Sequence, residues 1–479
     1  MFQHISRHFG WLTLAAILML FSACTVGRDY VKPTVEIPPT FKEEEGWKVA
    51  QPKDAALSEQ WWQLFDDPTL NELEGQVVIS NQNIALAEAQ FRQARALTDA
   101  SKAAHYPTVT VGASATRSLS PGSTGRGQSG ATSDFMLPVN LSWELDVWGR
   151  IRRSVEASTS AFQASAADLA AARLSAQAEL ASDYYQLRTL DTLKQYLDES
   201  IGYYQKSLEL TRNRYAAGIV SRVDVLQADN LLKSTQASMV DLGVRRAQLE
   251  HAVALLIGKP ASSFSLPPLP LNYHQPHIPM ALPSELLERR PDIASAERHM
   301  AAANAQIGVA RAAYYPTVKL GTSIGFEASD IAKWLSWPSR FWSIGPSISA
   351  TVFDGGLRRA QNDQVVAAYD ATVAAYRQTV LTAFTEVEDN LAALRILEHE
   401  GTIQDEAVES ARLTVSATMN QYKAGVVSYL NVISAQNTEL ANRKTAIGIL
   451  GRSVTAAISL VKAIGGGWNA DSLTKEGSH

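Results

Sequence analysis

The stretch Arg214-Tyr215-Ala216-Ala217-Gly218-Ile219-Val220-Ser221-Arg222-Val223-Asp224-Val225-Leu226-Gln227-Ala228 returns 207 residues later as Gln421-Tyr422-Lys423-Ala424-Gly425-Val426-Val427-Ser428-Tyr429-Leu430-Asn431-Val432-Ile433-Ser434-Ala435. In each copy a helical run stops at a Gly, which takes the left-handed conformation that ends a helix. A new run starts after Ser221 or Ser428, residues of N-cap type. Each copy reads as the tip of a helical hairpin, so the 479 residues form two related halves rather than the three domains that length alone suggests. The arms are long. No proline occurs between Pro138 and Pro260, or after Pro346, and a helix from Arg150 to Ala217 would run ~100 Å at 1.5 Å per residue. Along the return arms Val225, Leu232 and Met239, then Leu242, Leu249 and Leu256, recur every seven residues, as do Ile433, Leu440, Ile447, Val454 and Val461. That spacing lays each return arm against its partner.

Ahead of each long arm the period changes from about four to two. Val109, Val111, Ala113 and Ala115 alternate with polar or small residues, and Phe135, Leu137, Val139, Leu141 and Trp143 oppose Asp134, Asn140, Ser142 and Glu144. A Gly/Ser-rich loop from Ser118 to Gly130 separates these two strands. In the second half Val318, Leu320, Thr322, Ile324 and Phe326 oppose Lys319, Gly321, Ser323, Gly325 and Glu327, while Trp342, Ile344, Pro346, Ile348, Ala350 and Val352 oppose a serine-rich face. Strands of about ten residues with an apolar band on one side are the signature of an outer-membrane barrel. Four strands enclose nothing, and an open edge in lipid leaves backbone groups unpaired, so copies must join to share one barrel. Eight, twelve or sixteen strands all satisfy this.

The ends of the chain agree with export. The run Trp11 to Phe21 is apolar except for Thr13, too short to cross a bilayer but suited to a secretory signal. Ser22-Ala23 precede Cys24, the only cysteine, which rules out an internal disulfide. Cys24 in that position resembles the lipidated residue of a bacterial lipobox, with Phe21 where Leu or Val is usual, and Thr25 after it fits sorting to the outer membrane. Composition, 46% hydrophobic and 19% charged with a formal net charge of -5, favours neither nucleic-acid binding nor disorder.

No catalytic constellation is present. There is no G-x-S-x-G after a strand, no H-E-x-x-H and no phosphate-cradling Gly-rich loop. His274 and His277 lie three apart in a Pro-rich linker, which reads as surface loop rather than as a metal site. No enzyme activity, cofactor or metal is expected. A periplasmic coiled-coil adaptor or scaffold lipoprotein would also show long heptad hairpins, but has no use for two pairs of strands with lipid-suited faces.

The stretch Leu282-Pro283-Ser284-Glu285-Leu286-Leu287-Glu288-Arg289-Arg290-Pro291-Asp292-Ile293, continuing through Asn304 to Pro316, resembles the outer-membrane efflux lipoproteins of the TolC and OprM type (outer membrane factors). Trp143-Glu144-Leu145-Asp146-Val147-Trp148-Gly149-Arg150, Gly465-Gly466-Gly467-Trp468 and Asp29-Tyr30-Val31-Lys32-Pro33 add to the likeness, which spans the mature chain. The resemblance implies a mainly α fold with a transmembrane β part. In it each subunit of a homotrimer gives four strands to a shared 12-stranded barrel, and its hairpins to a periplasmic α-barrel. It also implies a periplasmic adaptor and an inner-membrane pump, commonly of the resistance-nodulation-division class, as partners of a passive duct for small toxic compounds; a duct for protein or peptide secretion is the alternative. Carried onto this sequence, adaptor docking falls on Ala217, Gly218, Ile219, Val220 and Ser221, and on Ala424, Gly425, Val426, Val427 and Ser428. The periplasmic gate falls on Leu430, with Asp224 and Asp229 as a candidate acidic ring; an Asp just after a tip also complements a helix N-terminus. Ser434 and Asn437 stand where relatives tend to carry an ionic lock.

The expected organisation is a signal peptide over 1–23, a lipidated extended segment over 24–66, a first repeat over 67–258 and a linker over 259–283. A second repeat covers 284–465 and a tail 466–479. Strands are expected at 107–117, 134–145, 317–327 and 341–353, and tips near 218 and 425.

Overall fold

The computed structural model describes residues 25–35, 37–43, 60–119, 131–273, 276, 278 and 286–470. The signal segment, Cys24, most of the Gly/Ser-rich loop, His274, His277, Leu282 to Glu285 and the end of the tail lie outside the described residues. After a short 3-10 turn at Trp61–Phe65 come α1 (Pro68–Ser80), α2 (Gln82–Ala103), β1 (Thr108–Val111), β2 (Ser114–Leu119), β3 (Ala131–Leu145), α3 (Arg150–Ala216) and α4 (Arg222–Leu256). The second half follows the same order with α5 (Leu286–Arg289), α6 (Pro291–Ala312), β4 (Thr317–Ala328), β5 (Arg340–Ser349), α7 (Leu357–Lys423) and α8 (Tyr429–Ala463). Both long arms contain 67 residues and both return arms 35.

The chain divides into two compact units, one of 1–34, 90–165 and 295–376, the other of 35–89, 166–294 and 377–479. The first contains an antiparallel sheet in the order β1/β2-β3-β4-β5. Its β1 and β2 are one expected strand, and both keep a single register against β3, with Val111 opposite Val139 and Ser114 opposite Met136. The interruption has a local cause. Gly112 donates its N–H to the carbonyl of Pro138 at 3.0 Å, and Pro138, having no N–H, cannot return the bond. On the other side of Pro138 stands Gly325, where a Cβ would lie 2.2 Å from the Leu137 carbonyl oxygen, so only glycine fits.

Strand ends differ from expectation for similar reasons. The first strand runs on to Leu119 and β3 starts at Ala131, because Leu119 and Ala131 pair. The last ends at Ser349 rather than at 353. Its partner β4 begins at Thr317, opposite Ser349, and Pro316 before it offers no donor, so Ala350 to Phe353 have nothing to pair with.

The second unit has its core among α1, α3, α4, α7 and α8. α8 is apolar and long enough by composition to cross a membrane, but half of its most apolar window is buried inside the protein. Inward burial of Leu232, Leu249, Leu256, Ile447, Val454 and Val461 accounts for the seven-residue spacing.

The duplication extends to individual contacts. α4 ends at Gly258 (φ 68) and α8 at Gly465 (φ 95); a Cβ on the first would meet the Ser80 carbonyl oxygen at 2.3 Å, and on the second the Arg289 carbonyl oxygen at 2.0 Å. In the first half Asn81, between α1 and α2, donates to the Leu256 carbonyl at 2.8 Å and accepts from the N–H groups of Asn83 and Ile84. In the second half the corresponding job falls to Arg290. It donates to the Ala463 carbonyl at 2.9 Å, to Glu386 at 2.6 Å, and through Nε and Nη2 to both oxygens of Asp292.

Two arginines 207 residues apart hold the extended segments onto the long arms. Arg188 of α3 donates to the Pro267 carbonyl at 2.8 Å, while Asp191, buried, accepts from Arg246 at 2.7 Å and from the Leu269 N–H. Arg395 of α7 pairs with Glu43, and Glu388 accepts the N–H groups of Lys42 and Glu43.

Arg290 is 6% exposed, and removing it strands two carboxylates and a carbonyl. Arg290→Ala is expected to cost about 2–3 kcal/mol, and Asn81→Ala about 1 kcal/mol, measured as loss of thermal stability of the detergent-solubilised protein. A second expectation concerns Glu74 on α1, fully buried with neither oxygen hydrogen-bonded among the described residues. Burial raises its carboxyl well above the ordinary range, so the folded state keeps a proton that the unfolded state releases. Stability therefore falls as pH rises above the unfolded value of about 4.3. Glu74→Met should raise the melting temperature at pH 7.5, and the gain should shrink toward pH 4; a constant gain across that range would contradict the assignment.

Candidate functional site

Two surfaces carry the sequence-derived expectations: the sheet and the hairpin tips. In the sheet, register places Val109, Val111, Phe135, Leu137, Val139, Leu141, Trp143, Val318, Leu320, Ile324, Phe326, Trp342, Ile344 and Ile348 on one face. Val109, Val111, Ile324, Trp342, Ile344 and Ile348 are all more than half exposed, so among the described residues no element covers that part of the face. The opposite face carries Asn140, Ser142, Glu144, Lys319, Ser323, Ser343 and Ser347, with Ser323 donating to Asn140 at 2.7 Å. One edge of the sheet is β1/β2 and the other β5, and among the described residues neither is paired on its outer side.

Aromatic groups mark both ends of the apolar face. At the helix end Trp143 donates to the His105 carbonyl at 2.9 Å, and Trp148 donates to the Pro316 carbonyl while stacking on Tyr315. At the far end Trp334, from the loop between β4 and β5, folds back to within 5.9 Å of Phe135. Phe135 and Trp143 are eight positions apart, ~27 Å along a strand at 3.4 Å per residue. That matches the height of a lipid-facing band with aromatic girdles once strand tilt is allowed for.

The loop from β3 into α3 explains the tryptophan-rich motif there. Asp146 accepts the N–H groups of Ile151 and Arg152 and so starts the helix, and Glu144 pairs with Arg150 at 2.9 Å. Gly149 (φ 80) lies where a Cβ would press on Thr25. Thr25 is the residue after Cys24, and Arg153 fixes the segment that follows by donating to Asp29 and to the Gly27 carbonyl.

At the tips Gly218 (φ 74) and Gly425 (φ 77) end α3 and α7. Gly218 and Ile219 donate to the carbonyls of Tyr215 and Arg214, and Gly425 and Val426 to those of Tyr422 and Gln421, the double bond pattern of a Schellman stop. The outer residues of each turn, Ile219 and Val426, are 62% and 73% exposed. Val220 and Val427 instead pack against a cluster of Ile201, Tyr204, Leu208, Leu231, Leu232, Tyr422, Tyr429 and Val432 that unites the two hairpins.

Of the expected gate residues, Leu430 is 58% exposed. Asp224 accepts the Ser221 N–H and Ser221 the Asp224 N–H, a closed capping box. Asp229 pairs with Arg212 at 3.5 Å. Ser428 makes no side-chain cap.

Sequence reasoning missed the groups that join the tips. Arg214 donates to the Lys423 carbonyl at 3.0 Å and stacks over the Tyr422 ring, and Ser207 shares a 2.8 Å hydrogen bond with the Tyr429 hydroxyl. Burial raises the Tyr429 phenol above its ordinary range. The available signal was a departure from the repeat, Tyr429 standing where the first copy has Arg222. Among the described residues no group of His, Cys, Asp or Glu could hold a metal ion.

A chain that combines a sheet with one exposed apolar face and two 67-residue helices has the fold of a TolC-like outer-membrane channel subunit. A protein-family model described as outer membrane efflux protein matches residues 74–259 and 282–466, one match per repeat, and the chain belongs to that family. The solvent efflux pump outer membrane protein SrpC of Pseudomonas putida is 30% identical over 463 residues, covering 96% of this chain and 98% of the relative. The cation efflux system protein CusC of Escherichia coli O6:H1 is 28% identical over 459 residues, covering 94% and 97%. Among solved structures, the outer-membrane channel OprN superposes with a TM-score of 0.87 at 31% identity over 93% of this chain and 100% of that one. A CusC structure superposes with 0.83 at 26% identity, over 92% and 100%. The protein is the outer-membrane channel component of an efflux system in a Gram-negative cell.

The two tips should respond differently to loss of their serines. Ser221→Ala is expected to cost the first tip about 1 kcal/mol, read as faster hydrogen exchange over residues 222–226. Ser428→Ala should leave exchange over 429–433 within about twofold of wild type, since it removes no cap.

Proposed function

We propose that this protein is the exit duct of a tripartite efflux system. It would act as a homotrimer in which three four-stranded sheets close one 12-stranded barrel and the helical arms form the periplasmic tunnel. The uncovered apolar face between two unpaired edges carries this reading, because such a sheet in hydrocarbon is satisfied only when β5 of one copy pairs with the first strand of the next. The duct itself is passive, and an inner-membrane pump, of the resistance-nodulation-division class in this reading, supplies the energy. Small toxic compounds are the proposed cargo. This rests on relatives whose names specify solvent and cation efflux.

A periplasmic adaptor docks on the tips formed by Ala217 to Ser221 and Ala424 to Ser428, with Ile219 and Val426 as the exposed contacts. Small residues at these turns leave the backbone open to a close approach. Leu430 narrows the periplasmic mouth, with the carboxylates of Asp224 and Asp229 at its rim; three apolar side chains at one level gate by excluding water. Cys24 carries the lipid anchor, a reading supported by Thr25, which is seated at the start of α3 beside the sheet.

In a strain lacking the gene, wild-type protein should restore resistance to solvents and dyes. The double variant Ile219→Asp, Val426→Asp should lose that resistance while still migrating as a heat-modifiable oligomer. Full resistance in the variant would move docking away from the tips. Leu430→Ala should raise single-channel conductance in planar bilayers, and an unchanged conductance would remove Leu430 from the gate.

A further inference from the structure

The apolar face of the sheet is not uniform along its edges. On one edge the outward row runs Val109, Val111, Ala115 and then Arg117; on the other it runs Ile348, Pro346, Ile344, Trp342 and then Arg340. In both, the arginine lies at the end away from the helices, and both arginines are exposed. The two inner strands carry no charge on that face: their outward residues near the same end are Ser133, Phe135, Phe326 and Ala328. The acids at this level, Asp134 and Glu327, lie on the opposite face by register. Asp330, in the loop, accepts the Ala332 N–H at 3.0 Å. Arg340 donates through Nε to the Trp337 carbonyl at 3.0 Å and lies over the Trp337 ring, 3.1 Å from its centre, which fixes the guanidinium while its two terminal nitrogens have no partner among the described residues.

Arg117 and Arg340 sit on opposite edges of one subunit, so they come together only where two copies meet. We propose that each subunit junction of the barrel binds a phosphorylated glycolipid of the outer leaflet, the lipid A part of lipopolysaccharide. Arg340 of one copy and Arg117 of the next would contact its phosphates, and Trp337 and Trp342 its acyl chains. This rests on the outer-membrane oligomer proposed above. Two arginines beside an apolar wall suit such a ligand, because guanidinium pairs with phosphate through two parallel hydrogen bonds while the wall accepts hydrocarbon.

The test uses full-length protein purified from outer membranes, freed of lipid and reconstituted with bis-phosphorylated lipid A or with the same lipid lacking its phosphates. Bound lipid per oligomer is read by native mass spectrometry. Wild type should retain the phosphorylated form about tenfold better; Arg117→Gln with Arg340→Gln should bring retention down to that of the phosphate-free lipid, and Arg117→Lys with Arg340→Lys should restore part of it. Equal retention of both lipids by wild type, or undiminished retention by the glutamine variant, overturns the proposal. Should the glutamine variant fail to assemble, the wild-type comparison of the two lipids decides alone. A wild-type protein that never forms a heat-modifiable oligomer would instead refute the barrel reading on which the inference stands.

Discussion

Every backbone N–H and C=O that enters hydrocarbon must find a partner inside the protein, and among the described residues the sheet of this chain has two edges without one. That constraint orders the rest of the structure. It makes open edges costly in hydrocarbon, and in the proposed oligomer it makes the apolar row on each strand part of a closed wall. The break within the first strand has a covalent reason. Pro138 breaks the first ladder because it has no N–H, and Gly325 is there because no side chain fits against the carbonyl beside that proline.

Duplication supplied the second constraint, and it acts on geometry rather than on residue identity. Asn81 and Arg290 occupy matching corners and both tether the carbonyl at the end of a return arm, Leu256 in one half and Ala463 in the other. One does so with a neutral amide, the other with a buried guanidinium that needs Asp292 and Glu386 to balance it. Gly258 and Gly465 are the same residue because their surroundings leave no choice, each having a carbonyl where a Cβ would stand. Positions with room to vary have diverged, and those that meet backbone have not.

The tips show where divergence has an organising effect. Their Schellman stops are equivalent, yet Tyr422 is buried while Tyr215, its counterpart, is 47% exposed. Tyr429, where the first copy has Arg222, is buried in the cluster between the hairpins. The second hairpin thereby contributes the core of the tip region, and the first closes over it through Ser207 and Arg214. Ile219 and Val426 remain exposed at the turns.

Local chemistry was readable from the residues alone: the stops at Gly218 and Gly425, the alternating strands, the unbroken arms between prolines and the offset that relates the halves. Each depends on neighbours within a few positions, or on a period that the chain carries along its length. What only the tertiary structure decided involved partners far apart in sequence. The break between β1 and β2 depends on Pro138, and the end of β5 depends on where β4 begins. The cluster that joins the tips brings together tyrosines and an arginine some 200 residues apart. Periodicity tells which face of an element is apolar, but it carries no information about which other face will meet it, because that depends on how the distant parts of the chain pack in three dimensions.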